Sequence, residues 1–214
     1  MCRSERERKV AALTQGMGQS YEMEPGRSVF SAQFYVLPHM TPDAPTAPPR
    51  IEPATLHDIP TIIQLAEATW EPTYRFIISR EQIEYMYRVI YTPASLNRQM
   101  AEQQHSFLLA YVADKPAGFA SFSPLPAEDD GGVGYKLHKI YVLPTRQGQG
   151  LGVHLIEAVE NAARQAGGQF LDLNVNRYNP AIAFYERRGF TRHSEIDVPI
   201  GPYFMNDYIM RKEL

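Results

Sequence analysis

The chain has 214 residues, with 21 Lys and Arg against 24 Asp and Glu, for a formal net charge of −3. That length suffices for one α/β domain with a substantial core, and the slight acidity gives no basic footprint for nucleic acid. The single cysteine, Cys2, excludes an internal disulfide and fits a reducing cytoplasm; no apolar run is long enough for a membrane span, and the first residues lack the apolar stretch of a secretory signal.

Residues 1–50 carry six of the 17 prolines, and LPHMTPDAPTAPPR (37–50) has linker composition. This predicts a flexible, Pro-rich N-terminal extension over 1–50, dispensable for chemistry, and one domain over 51–214. SVFSAQFYVLP (28–38) is apolar and β-prone; an added strand, a partner-docking segment and unordered chain all fit it. Met23 and Met40 are further candidate starts.

RIEPAT reads as the first strand of the domain. HDIPTIIQLAEATW (57–70) reads as a helix, with Asp58 as its cap, Pro60 in the first turn and Ile62, Ile63, Leu65 and Ala66 on one side. SREQIEYMYRVIY (79–91) is a second helix, in which Ser79 and Gln82 have capping-box spacing, and TPASLNRQMAEQQ (92–104) is a third helical piece. SFLLAYVAD and KPAGFASFSPL are strands joined at Asp114-Lys115, and EDDGGVG (128–134) is a loop. LHKIYV (137–142) is rich in β-formers and stops before Pro144. From Val153 the apolar residues Leu155, Ile156, Val159, Ala162, Ala163 and Ala166 have helical spacing, ended by Gly167-Gly168. FLDLNV (170–175) is another strand, a short helix runs from Asn179 to Gly189, and two strands around TRHSEID and NDYIMRKE finish the chain.

Between the LHKIYV strand and its helix lies RQGQGLG (146–152), where glycines alternate. A helix start carries unpaired N–H groups and the positive end of the helix dipole, so it suits anions. Glycine adds close approach and freedom in φ. A phosphate ligand is therefore expected here. No lysine follows the glycines, which argues against a nucleoside-triphosphate loop. The spacing Gly148, Gly150, Gly152 also fails the dinucleotide pattern.

The stretch resembles the acetyl-CoA signature of the GNAT N-acetyltransferase superfamily: Arg or Gln, two residues, Gly, one residue, then Gly or Ala. Gln147, Gly150 and Gly152 fill it. A second hallmark of that superfamily resembles Asn179-Pro180-Ala181-Ile182-Ala183-Phe184-Tyr185 and the Gly189-Phe190 that follow. ATWEPTYRF, IAFYERRGF and NDYIMRKEL look closest to the small bacterial branch that contains spermidine/spermine acetyltransferases. The resemblance implies an α/β fold whose mixed sheet of about seven strands, flanked by helices, is splayed open between strands 4 and 5. It also implies that acetyl-CoA lies in that splay as co-substrate, with no metal. Backbone groups of Ile140, Tyr141 and Val142 would pair with its pantetheine arm as an added strand does. The pyrophosphate would sit on the N–H groups of Gln147, Gly148, Gln149, Gly150, Leu151 and Gly152. Asn174 and Asn179 would bind the arm from the other side. The amine would attack the thioester directly, an N–H near Val142 would stabilise the oxyanion, and Tyr185 would be the general acid or sulfur-orienting donor.

A base is needed as well, because an alkylammonium of pKa about 10.4 is only about one part in 10³ free amine at neutral pH. The family often places a Glu where this chain has Lys136. His138, on the same strand face as Lys136 by alternation, is the first candidate for the catalytic base because of its near-neutral intrinsic pKa, against a purely structural role for that histidine, with Glu71, Tyr74, Glu84 and water-mediated deprotonation as alternatives. The acceptor pocket is expected to use Trp70, Glu71 and Tyr74, since aromatics with carboxylates suit a cationic amine. A polyamine or other small amine is the favoured acceptor, and an aminoacyl or peptide amine the next. An acyl-CoA sensor without turnover and a nucleotide-binding module are the other classes weighed. The expected protein is cytoplasmic, engages neither nucleic acid nor membrane, and is compatible with a homodimer.

Overall fold

The computed structural model describes residues 48–126 and 132–214. The expectations for residues 1–47, including the β-prone stretch 28–38, lie outside the described residues. Strand β1 (Arg50–Pro53) pairs antiparallel with β2 (Ser106–Val112), so the sheet already begins at Arg50.

Between these strands lie three helices. In α1 (Ile59–Tyr74) the helix continues past Trp70, the expected end, and through Pro72. The Thr69 and Thr73 hydroxyls each donate to a carbonyl one turn earlier, at 2.7 Å, a bond that accompanies a locally bent helix. Helix α2 (Arg80–Ile90) starts as its capping spacing predicts, with Ser79 Oγ accepting from the Gln82 N–H at 3.2 Å. Thr92 Oγ1 does the same for α3 (Pro93–Ala101), accepting from the Ser95 N–H at 3.1 Å.

Strand β3 (Lys115–Pro124) follows β2 through Ala113-Asp114, where φ is +47° and +59°. Positive φ at both centres is the geometry that matches strand twist. The turn falls one position before the expected Asp114-Lys115, because Lys115 already pairs with Val112. Strand β4 (Gly134–Val142) begins before the expected Leu137, because β5 (Phe170–Asn176) pairs with it in parallel from Gly134. Helices α4 (Leu151–Gln165) and α5 (Ile182–Arg187) and strands β6 (Thr191–Ile200) and β7 (Tyr203–Glu213) complete the domain.

The sheet order is β1-β2-β3-β4-β5-β7-β6, with β4–β5 its parallel pair. Helix α4 packs Leu155, Ile156 and Val159, all fully buried, among Phe122, Leu137, Leu171 and Leu173. A second core holds Ile62, Leu65, Trp70, Ile83 and Leu96 of α1–α3 together with Phe107, Leu109 and Phe119 of the sheet. The expected mixed seven-stranded sheet flanked by helices is therefore present.

Two features open it. The parallel register runs from Gly134↔Phe170 to Leu137↔Leu173 and stops. At that point β4 has a bulge: Leu137 pairs with Phe122 and Lys139 with Ser121, leaving His138 as the extra residue. A bulge bends its strand and strengthens its twist, which carries β4 away from β5. After the bulge Ile140 and Val142 pack with the α4 core, whereas Tyr141 joins the other core. The strict alternation assumed from sequence is thus reset at His138.

Leu155→Ala should lower unfolding free energy by about 2–5 kcal/mol, the cost of a large-to-small change at a fully buried site. Urea denaturation checks it.

Candidate active site

Beyond Leu137 the β5-facing edge of β4 has no strand partner, while its other edge stays paired: Ile140 with Ala120, Tyr141 with Phe119 and Val142 with Gly118. Backbone groups at that free edge stand beside a cavity of about 740 Å³, a size typical of small-molecule sites. Ile140, Tyr141 and Val142 line it, as do Asn174, Asn179 and Tyr185 from the β5 side and Gln147, Gly148, Gly150, Leu151 and Gly152 from the turn into α4.

The turn is built by backbone conformation. Gly148 and Gly150 have φ of +75° and +81°, and an added Cβ at either would meet nothing within 4 Å. The left-handed conformation, not lack of room, calls for glycine there. Gly150 is the residue before α4, and its carbonyl accepts from the Val153 and His154 N–H groups at 2.9 and 3.2 Å. Among the described residues no backbone acceptor takes the N–H groups of Gly148, Gln149, Gly150, Leu151 or Gly152. Consecutive unengaged amides at a helix start form an anion cradle. Gln147 Nε2 donates to the Val142 carbonyl at 3.1 Å and ties the turn to β4. Gln149 is exposed and its side chain donates to the Thr145 carbonyl at 3.3 Å. Leu151 buries its side chain in the core and offers the cavity its amide.

Across the cavity, Asn179 Oδ1 accepts from the Ala181 N–H at 2.9 Å, which orders the approach to α5. The helix proper begins at Ile182, later than the expected start. Tyr185 is buried edge-on against Phe184 and Phe190, at 5.3 and 5.9 Å between centroids. Burial holds its phenol well above the ordinary value, so it is a protonated donor at neutral pH, and no described residue takes its hydroxyl hydrogen.

The acceptor-side expectations divide. Tyr74 lines the cavity, with its hydroxyl 3.0 Å from that of Tyr141. Trp70 does not: it is 4% exposed in the core, and its indole N–H donates to the Ile83 carbonyl at 3.1 Å. Glu71 faces solvent on α1. Those two residues are corrected to a packing and a surface position.

His138 lines the cavity but is a poor base. Its Nε2 is 2.8 Å from the Ser123 hydroxyl, and its ring stacks on His105 at 3.9 Å. Burial first, then the charges of His105, Lys139 and Lys136, push it down to about 3. Burial and Lys139 push His105 down to about 4. Lys139 itself is lowered to about 8 by burial, with Nζ 2.7 Å from Gln99 Oε1. A ring that binds protons so weakly does not draw one from an ammonium.

The sequence reading missed Asp207. It lines the cavity from β7 and is 7% exposed. Burial raises its carboxyl to about 6, against the opposing pull of Lys136, Arg177 and Asn174 and with a further push from Asp197. Its inward position shows only in the fold, where Met205 and Asp207 are buried while Asn206 between them is exposed. No helix among the described residues is long and apolar enough to cross a membrane. Among those residues, no group of three or more His, Cys, Asp and Glu is gathered as a metal ion would need.

The lowered His138 gives a pH prediction. Between its ordinary 6.5 and about 3, the unfolded chain binds a proton that the native ring refuses, so stability falls on acidification. The loss attributable to His138 by pH 5 is about 2 kcal/mol. Asp207, raised in the folded state, works in the opposite sense over the same range. The test is therefore differential: thermal melts from pH 7.5 to 5 should fall less steeply in His138→Gln than in the unaltered chain.

A family model described as Acetyltransferase (GNAT) domain matches residues 77–205. The uncharacterized N-acetyltransferase YuaI of Bacillus subtilis is 30% identical over 136 residues, which cover 64% of this chain and 76% of that protein. The spermidine N(1)-acetyltransferase of Thermoplasma acidophilum is 26% identical over 65% of this chain and 86% of its own length. The crystal structure of the PaiA N-acetyltransferase from Thermoplasma acidophilum, in complex with coenzyme A, superposes with a TM-score of 0.66 at 24% identity, covering 78% of this chain and 100% of that one. The parted sheet, the glycine turn and the family match agree, and the chain belongs to the GNAT family of acetyl-CoA-dependent N-acetyltransferases.

Proposed function

We propose that the acceptor is a small, positively charged amine, with a polyamine the favoured class. The observation that carries this reading is one continuous cavity. It joins the unengaged amides of the glycine turn, the free edge of β4 and Tyr185 to an end lined by Tyr74, Tyr141 and a carboxylate. Tyrosine faces and an acidic group attract a cation. The similarity to a spermidine acetyltransferase supports the same class.

The residues fit acetyl-CoA, which supplies an acetyl group activated as a thioester. The N–H groups of Gln147–Gly152 would hold its pyrophosphate. The free edge of β4 at Ile140 and Val142 would bind its arm as an edge strand binds an added strand, with the Tyr141 backbone between them turned to β3. Asn174 and Asn179 would flank the arm from the β5 side. An N–H near Val142 would stabilise negative charge developing on the carbonyl oxygen.

Tyr185 would donate to the leaving sulfur. Its raised proton affinity suits that task in this setting, since the same burial disfavours a free thiolate.

Purified protein, acetyl-CoA and a panel of spermidine, spermine, diamines, amino acids and short peptides should give CoA release with the polyamines foremost; release with peptides alone would reassign the acceptor. Tyr185→Phe should lower kcat by about 10²-fold or more while acetyl-CoA binding, read by calorimetry, is retained. Gly150→Glu should stay folded, because the position has room, at a cost of about 1 kcal/mol for its left-handed φ. Its acetyl-CoA affinity should fall by about tenfold or more, equivalent to about 1.4 kcal/mol, as the new carboxylate faces the phosphates.

A further inference from the structure

Two oxygens lining the cavity lack donors. Asn174 Oδ1 on β5 and Asp207 Oδ1 on β7 are both buried and have no hydrogen-bond partner, although the Asn174 amide group lies close enough to the Asp207 carboxylate to favour its ionised form. The strands that carry them are paired, with Asp207 opposite Asn176. A buried acceptor left unsatisfied costs about 1–3 kcal/mol, and more when it is charged. Two unsatisfied acceptors on neighbouring strands of a ligand cavity mark a place where the ligand brings N–H groups.

We propose that Asp207 receives the ammonium group of the acceptor and takes its proton, with Asn174 Oδ1 as the second acceptor. The proposal rests on the transferase reading above and supplies the base that reading lacks. Other carboxylates are otherwise engaged or elsewhere. Asp172, in register with Lys136, accepts from Arg211 Nε and Nη2 at 2.8 and 2.9 Å. Glu71 and Glu84 are exposed and lie outside the cavity. Among the described residues, Asp207 is the one carboxylate that lines it.

The surroundings tune Asp207 for this work. Lys136 on β4, Arg177 beyond β5 and the Asn174 amide favour its ionised form, Asp197 on β6 opposes it, and Tyr74 of α1 meets it as a neutral phenol. Burial outweighs them and leaves the carboxyl near 6, ionised at neutral pH yet close enough to it to hold a proton, as a general base requires.

The step balances. R–NH3+ gives one proton to Asp207 Oδ1. The freed lone pair forms the C–N bond to the acetyl carbonyl carbon. As the C–S bond breaks, sulfur takes the Tyr185 hydroxyl proton and the nitrogen's second proton returns to the Tyr185 oxygen. Asp207 then loses its proton to solvent, so one proton is released per acetyl group transferred.

The test uses the full chain with Asp207→Asn, Asp207→Glu and Lys136→Gln, and reads three things: carboxyl 13C titration by NMR, acetyl-CoA binding by calorimetry, and kcat against pH on the amine panel with spermidine as first probe. The Asp207 carboxyl should titrate near 6, and Lys136→Gln should move that titration and the acid limb of kcat upward together. Asp207→Asn, a neutral isostere that removes a buried charge, should fold and bind acetyl-CoA as before, lose about 10²-fold or more in kcat, and lose the acid limb. Asp207→Glu should restore part of the rate. Turnover and pH profile unchanged in Asp207→Asn would overturn this proposal alone, as would a carboxyl titrating in the ordinary range. A chain that binds acetyl-CoA yet acetylates no amine would overturn the transferase reading, and this proposal with it.

Discussion

The structure turns on the parting of β4 from β5. A seven-stranded sheet covered by helices on both faces would ordinarily satisfy its backbone from edge to edge. Here the pairing ends at Leu137↔Leu173, and the bulge at His138 bends one strand out of register with the other. Everything that does chemistry is placed by that departure. The free edge of β4 begins there, the turn into α4 starts at the far end of the same strand, and the side chains of β5 and β7 border the gap. Both cores remain closed around it, so the opening lies between two packed faces.

Desolvation is the common electrical theme of the gap, and its sign differs by residue type. It pushes His138 and His105 down until their rings are uncharged in use, lowers Lys136 and Lys139, and raises Tyr74, Tyr141 and Tyr185. Of these groups the phenols stay protonated and the imidazoles stay neutral near pH 7. Asp207, near 6, and Lys139, near 8, are the groups left poised to change charge close to neutrality, and of the two Asp207 is the acceptor. A cavity so arranged suits a ligand that brings its own positive charge.

Much of this was legible in the sequence, for stated reasons. Glycines at alternate positions between a strand and a helix offered freedom in φ, and Gly148 and Gly150 use it while Gly152 lies within α4. Asn179 and Tyr185 carry a recognisable spacing, and both line the cavity. Other features were silent. A bulge leaves no local mark in LHKIYV, because its cause is the register with β3. Trp70 and Glu71 looked like acceptor-pocket residues by type, but α1 turns the first into the core and the second to solvent. Asp207 sits in an ordinary alternating strand. Its weight comes from lining a cavity in which its oxygen finds no donor, a fact of tertiary packing that no spacing encodes.

The free edge of β4 has a consequence for the life of the protein before it meets its co-substrate. An unpaired strand edge is a template for wrong partners, and proteins ordinarily blunt or cover such edges. On the proposed reading the cover of this one is the ligand itself. A ligand that binds only the native state adds about 2.7 kcal/mol at a free concentration of a hundred times its dissociation constant. Acetyl-CoA and CoA would then act as folding ligands as well as reactants, and the chain's resistance to proteolysis and aggregation would follow the supply of the molecule it consumes.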